Sequence, residues 1–292
     1  MNESMAGKSC VVTGATSGIG LVTARELARR GARVIVVGRS PERAAEAVAL
    51  IRRETGGEQV GALTADLSCH AEIRRLAQAI REQIPRLDVL VNNAGGIFLE
   101  RLESPDGVEM TFALNHLSYF HLTNLLLPVM VAPARIVNVA SDAHRGVTLD
   151  FEDLEGKKRF GGWRAYQRSK LANILFTAEL ARRLEGTGVT CNCLHPGFVR
   201  TNIFRDPGWV GMAIRAAARF ALSPEEGART SIYLATAPEV AGTTGGYFVK
   251  ERPAVPSRAA RDPAAARRLW AASLAMTGLG DPASSAPLER SP

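Results

Sequence analysis

The sequence has no apolar run long enough to cross a bilayer. Its most membrane-like stretch, Leu125 to Ala134, is broken by Pro128 and Pro133. It falls well short of the ~20 apolar residues a spanning helix needs. The first residues, MNESMAGK, contain no apolar h-region, so a secretory signal is not expected. The last, LERSP, match no lipidation signal. The expectation is a soluble, cytoplasmic protein with no transmembrane anchor. Cysteine is scarce: Cys10, Cys69, Cys191 and Cys193 form no CxxC pair, and the five histidines complete no zinc pattern. No metal is expected. Cys191 and Cys193 share one face of an apolar run, where thiols behave as small buried hydrophobes. Lysine supplies only five of the 36 basic residues, so the net charge of +7 is an arginine excess. Nucleic-acid binding calls for basic clusters interleaved with aromatics. Aromatics are only 6% of this chain and the arginines are scattered over helices as solvated faces, so no nucleic-acid partner is expected.

What is present is ordinary globular composition, 46% hydrophobic and 22% charged over 292 residues. That excludes disorder, coiled coil and collagen-like fibre. A chain of this length buries a sizeable core without disulfides or metals. Short apolar runs alternate with helical periodicity. Strands are expected at Ser9–Thr13, Arg33–Val37, Gln59–Thr64, Leu87–Asn92, Arg135–Ala140, Gly188–Leu194 and Gly246–Val249. Helices are expected at Leu21–Arg30, Pro41–Glu54, Cys69–Ile84, Asp106–Val131, Trp163–Leu184, Pro224–Ala237 and Pro263–Leu274. This rhythm implies one α/β domain over 1–292, a Rossmann fold. Its doubly wound parallel sheet has about seven strands, with helices on both faces. Ligands of such sheets bind at the carboxyl ends of the strands. The connections at 141–162 and 198–223 leave such ends and are expected to border the site. The tail at 252–292 follows.

The first strand runs into Thr13-Gly14-Ala15-Thr16-Ser17-Gly18-Ile19-Gly20. Three glycines let the backbone turn tightly and approach a diphosphate, which the N–H groups and dipole of the next helix then face. Directly after an N-terminal strand, this predicts dinucleotide binding. At the end of the second strand an acidic residue would take a ribose 2′-hydroxyl, whereas an arginine suits a 2′-phosphate. The chain has Gly38-Arg39-Ser40 and no carboxylate until Glu42, which predicts NADP(H) over NAD(H). Asp66 suits either an adenine amino group or a cap on the following helix.

Further motifs follow in order: Asn92-Asn93-Ala94-Gly95 after the fourth strand, Asn115 in the long helix, and Ser141 after the fifth strand. Tyr166-Gln167-Arg168-Ser169-Lys170 and Pro196-Gly197 complete the series. As an ordered set they resemble the short-chain dehydrogenase/reductase family. The segments DGVEMTFALNHLSYFHLT, RIVNVASDAH, SKLANILFTAELARRL and SPEEGARTSIYLA resemble its retinol dehydrogenase-like branch. Ala140 stands where that branch usually has the first of a serine pair, and Ser141 aligns with the catalytic one.

The resemblance implies an oxidoreductase with catalytic Asn115, Ser141, Tyr166 and Lys170. Tyr166 and Lys170 are four apart and share one helix face. A nearby ammonium is expected to lower the phenol's pKa, so that Tyr166 exchanges a proton with the substrate oxygen. The resemblance also implies that Lys170 holds the nicotinamide ribose, Ser141 orients the substrate oxygen and Asn115 holds a relay water. The implied cofactor contacts include Gly14, Thr16, Ser17, Gly18, Ile19, Gly20, Arg39, Asp66 and Leu67. Asn93, Ala94, Gly95, Tyr166, Lys170, Pro196, Gly197, Val199 and Thr201 complete them. Asn93 suits either the cofactor or a brace on the sheet.

The segment Gly208–Leu222 is apolar on most sides and predicts a lid over a bulky apolar substrate. The alternative is a helix packed on the core or a partner. His144, Trp163, Phe198 and Trp209 are the expected pocket residues. The resemblance also suggests a homodimer paired through the helix that carries Tyr166. A catalytically silent dinucleotide-binding sensor or scaffold is the competing reading, since fold alone does not fix function.

Overall fold

A computed structural model describes residues 4–199 and 222–280. The apolar runs become strands β1 (Ser9–Thr13), β2 (Arg33–Gly38), β3 (Val60–Thr64), β4 (Val89–Asn92), β5 (Arg135–Val139), β6 (Thr190–His195) and β7 (Tyr247–Val249). These seven pair in parallel. The helices are α1 (Gly18–Arg29), α2 (Pro41–Thr55), α3 (His70–Gln83), α4 (Met110–Phe112), α5 (Ser118–Leu126), α6 (Gly162–Arg183), α7 (Pro224–Thr236) and α8 (Pro263–Thr277). The sheet order is β3-β2-β1-β4-β5-β6-β7, with one further strand beyond β7.

Strand residues alternate between two cores because successive side chains point to opposite faces. Val11, Ile35, Leu90 and Ile136 join α3, α5, α6 and Trp270 of α8 on one face. Cys10, Val12, Val36, Val91 and Val137 join α1, α2 and α7 on the other. The order reverses between β1 and β4, which places the carboxyl ends of these two strands at the switch point.

Two expectations are corrected. The stretch Asp106–Val131 is not one helix. Gly107 turns with φ of +76°, and Glu109 accepts from the N–H groups of Thr111 and Phe112 at 2.7 and 2.9 Å, which starts α4. A π-helical turn, Ala113–Leu117, then separates α4 from α5, and a 3-10 turn containing Pro128 ends the stretch. The π-helical turn inserts one residue into the helical ladder. Here the inserted register coincides with Asn115, whose side chain is tied to backbone outside the helix.

The second correction is an eighth strand, β8 (Arg252–Ala254), antiparallel to β7. Lys250 and Glu251 join them with φ of +51° and +63°, the double positive φ of a tight hairpin turn. Neither is the glycine or asparagine that normally signals such a turn. A proline also sits in the middle of β8, so the hairpin left no trace in the pattern.

Candidate active site

The first turn shows why its glycines are required. Gly14 has φ of +64°, and a Cβ there would lie 2.8 Å from Ala94 Cα. A Cβ on Gly20 would overlap Asn93 Nδ2 and the Gly14 carbonyl. The turn is therefore pressed against the end of β4. Asn93 fastens it, donating from Nδ2 to Thr13 O at 2.9 Å and from its backbone N–H to Thr13 Oγ1 at 2.9 Å. Ser17 is the N-cap of α1 but makes no side-chain cap, unlike Ser40 on α2, Ser223 on α7 and Asp262 on α8. The first N–H groups of α1 thus remain available at the positive end of the helix dipole, and an anion fits there.

A cleft of about 1350 Å³ opens over this turn. Of the residues for which the sequence implied cofactor contact, Gly14, Thr16, Ser17, Gly18, Ile19, Gly20, Arg39, Asp66, Leu67, Asn93, Ala94, Gly95, Tyr166, Lys170, Pro196, Gly197 and Val199 line it. Thr201 and Trp209, and most of the expected lid, lie outside the described residues. At the end of β2, Arg39 is exposed and pairs with no carboxylate among the described residues. The nearest acid, Glu42, accepts from Ser40 Oγ at 2.7 Å, which holds its carboxyl below the usual range. Asp66 Oδ1 accepts from the N–H and hydroxyl of Ser68 at 2.9 and 2.7 Å. It shapes a turn rather than serving as the N-cap of α3, a position held by Cys69.

Sequence reasoning missed Arg43, which also lines the cleft, from the first turn of α2. A second basic residue just after Arg39 was the available signal. It also missed the apolar wall of Phe98, Leu102, Met110 and Leu114. These residues sit in irregular chain after β4 and around α4, where no hydrophobic period exists to mark them. These features together fit a dinucleotide: an uncapped helix start, a glycine turn without room for side chains, and a long cleft lined by Arg39 and Arg43.

Ser141, Tyr166 and Lys170 meet at the other end. Ser141 Oγ accepts from Ala143 N at 3.2 Å, so its O–H is still a donor on the Tyr166 side. Burial pushes the Tyr166 phenol up to about 12, and a hydrogen bond with Ser141 works against that rise. Lys170 Nζ lies 5.7 Å from the centre of the Tyr166 ring and donates to Val139 O at 2.9 Å. Burial lowers its pKa to about 7. The expectation that the ammonium depresses the tyrosine pKa is thus not met in the protein alone. Desolvation dominates both groups and disfavours both charges.

Two expected residues do not face the cleft. Asn115 is fully buried; its Oδ1 accepts from Gly96 N at 2.9 Å, and its Nδ2 donates to Gly96 O and Ser169 Oγ at 3.0 Å each. The side chain is committed to bracing the Gly95–Gly96 turn and α6, which leaves the backbone carbonyl as the group of this residue that can hold a water. His144 is also fully buried, with both ring nitrogens engaged. It does not line a substrate pocket, because the 3-10 turn Asp142–His144 carries it behind Ser141. Trp163 and Phe198 do line the cleft, at 51% and 61% exposure. Trp163 lies against Tyr166 with ring centres 5.4 Å apart.

The short chain dehydrogenase family model matches residues 8–207. Human retinol dehydrogenase 14 is 46% identical over 94% of this chain and 88% of that protein. Among solved structures, an uncharacterised protein from Mycobacterium paratuberculosis superposes with a TM-score of 0.77. It is 35% identical over 95% of this chain and 96% of that one. A short chain dehydrogenase from Burkholderia cenocepacia in complex with NADP gives a TM-score of 0.68 at 28% identity. That match covers 84% of this chain and 97% of the other. With the ordered motifs gathered in one cleft, these likenesses assign the chain: it belongs to the short-chain dehydrogenase family of oxidoreductases, in its retinol dehydrogenase-like branch.

Proposed function

We propose that the protein is an NADP(H)-dependent oxidoreductase acting on a lipophilic aldehyde or ketone, or on the corresponding alcohol, with Tyr166 as the acid and base. The observation that carries this reading is the convergence of Ser141, Tyr166 and Lys170 at one end of a long cleft. That end has apolar walls. Phe98, Leu102, Met110, Leu114, Trp163 and Phe198 surround it, and the exposed Leu102, Trp163 and Phe198 suit a bulky hydrocarbon rather than a small charged substrate. A retinoid-like, lipid or secondary-metabolite carbonyl has this character. Retinol is also the substrate named for the human relative.

The cofactor, when bound, supplies or accepts the hydride. The chain's own residues hold the substrate oxygen and move its proton. Ser141 donates its O–H to that oxygen and fixes its direction. Tyr166 gives the oxygen its proton during reduction and takes it back during oxidation. Lys170, on the same face of α6, stabilises the phenolate whenever it is itself protonated. Asn115 acts from behind by holding the Gly95–Gly96 turn next to Lys170. Arg39 and Arg43 favour a 2′-phosphate, since an arginine fork matches phosphate through two hydrogen bonds. A cytoplasmic location goes with this reading, and no helix among the described residues is long and apolar enough to cross a membrane.

NADPH oxidation by the purified protein, against carbonyls graded from small and polar to bulky and apolar, tests the proposal. Turnover confined to the bulky apolar members is expected, with retinal and a polycyclic aromatic ketone among them. In Tyr166→Phe, kcat is expected to fall about 10²- to 10⁴-fold, the usual worth of a positioned acid, with NADPH binding retained. Comparable turnover by the variant removes Tyr166 from the chemistry. Silence across the panel despite tight NADPH binding favours the sensor reading instead.

A further inference from the structure

His144 occupies a position that the reaction as described does not use. Two donors converge on the carbonyl oxygen of Ser141: the His144 ring at Nδ1, 2.7 Å away, and the His144 backbone N–H at 3.2 Å. On the other side of the ring, the Ser257 backbone N–H donates to Nε2 at 3.0 Å. A backbone N–H can only donate and a carbonyl can only accept. The ring must therefore be neutral, with its proton on Nδ1. Burial, which lowers the His144 pKa, favours the same state.

The surrounding contacts turn this one link into a clamp. Arg145 Nε pairs with Asp142 Oδ1 at 2.8 Å, and Arg145 donates from its terminal nitrogen to Val255 O at 3.1 Å. Tyr247 of β7 donates to Asp142 at 3.1 Å and places its ring edge-on to His144, with centres 5.4 Å apart. The 3-10 turn after β5 is thus gripped by chain that lies more than 100 residues later. Ser141, the residue that must aim a hydroxyl into the cleft, is the N-cap of that turn.

We propose that His144 is a positioning residue for Ser141, and that it couples the catalytic serine to the segment around Val255 and Ser257. The inference rests on the reading of Ser141 as the residue that orients the substrate oxygen. The imidazole spans the gap between two backbone groups that cannot reach each other, accepting from one and donating to the other. It sets the tilt of the Ser141 peptide and so the direction of Oγ. A serine hydroxyl displaced by a fraction of an ångström still binds its cofactor neighbours but aims the substrate poorly.

The test measures kcat, KM for NADPH and Tm for the full chain with NADPH and retinal, or whichever panel carbonyl is turned over fastest. His144→Leu fills the space without polar atoms. His144→Asn keeps an amide donor near the Nδ1 position, and His144→Gln keeps a polar group near the Nε2 position. In His144→Leu, kcat is expected to fall about 10- to 100-fold, with KM for NADPH within about twofold of the parent. His144→Asn should recover much of that kcat, and His144→Gln much less. If His144→Leu does not fold, the difference between the asparagine and glutamine variants decides alone. A drop in Tm with parental kcat in every folded variant would make His144 a packing residue and overturn the proposal. Ser141→Ala is measured beside them. If that variant keeps parental kcat, the reading of Ser141 fails and the inference falls with it. If it loses turnover while the His144 variants do not, only the inference fails.

Discussion

Burial holds Lys170 at a pKa of about 7, against about 10.4 for a free lysine, and this couples the site to folding. Between those values the unfolded chain holds a proton that the folded protein lacks, so stability rises with pH across that window. Below about pH 7 both states hold it, and the full cost of a buried ammonium is felt. Lys170→Met removes that cost. In the cofactor-free protein the variant should melt well above the parent at pH 6, by a smaller margin at pH 8, and near it above pH 10. A gain that does not change with pH would show that Lys170 is not the titrating group. At the other end of the cleft, Arg39→Asp should weaken NADPH binding about 10- to 100-fold, the worth of one or two charged hydrogen bonds. NADH binding should hardly change, and equal losses would remove Arg39 from cofactor choice. The candidate site residues Ser141, Tyr166 and Lys170, which line one cleft, were legible because their types and order point to the chemistry. The hydrogen bonds of Asn115 and His144 were not, since neither spacing nor period reveals which side chains are spent on backbone groups.

Regular elements follow the sequence closely. β1, β5, α2 and α6 lie within one or two residues of their apolar periods. Ser40 and Pro41 mark the start of α2, with Ser40 Oγ accepting from Arg43 N at 3.2 Å. The pattern failed where side chains outweigh period. Apolar residues at helical spacing run through Asn115, yet its three hydrogen bonds to Gly96 and Ser169 hold a π-helical turn in place. Asn115→Ala would leave the Gly96 N–H and C=O buried without partners. It is expected to cost about 2–4 kcal/mol in urea unfolding, from two orphaned backbone groups. It should also lower kcat more than KM, because the displaced turn borders Lys170. Loss of less than about 1 kcal/mol would mean that the turn satisfies itself another way. The missing hairpin has a similar cause: Lys250 and Glu251 adopt positive φ because β7 and β8 pair, not because either residue favours it.

At the scale of the molecule, α8 decides which surfaces remain open. Trp270 is buried between Phe120 of α5 and Phe176 of α6, with ring centres 4.9 and 6.0 Å away, and Arg183 lies over its ring. His116 Nε2 meets Ser273 Oγ at 2.9 Å beneath the same helix. The side of α6 that carries Phe176 is therefore already covered by the chain itself. Sedimentation should show a monomer at micromolar concentration; a dimer that survives dilution would require another face. Trp270→Ala should cost about 3–5 kcal/mol, as for other buried aromatics, and should promote self-association by uncovering Phe120 and Phe176. The sheet is guarded at its far side as well. Parallel strands leave a row of unmet donors and acceptors along an open edge, an invitation to pair with any extended segment that passes. Here that row belongs to β8, three residues long, with an arginine at its start and a proline at its centre that has no N–H to offer. A second chain that slid alongside would find almost nothing to bond with. The same short strand that sequence periodicity passed over thus closes one edge of an eight-stranded sheet to a passing neighbour.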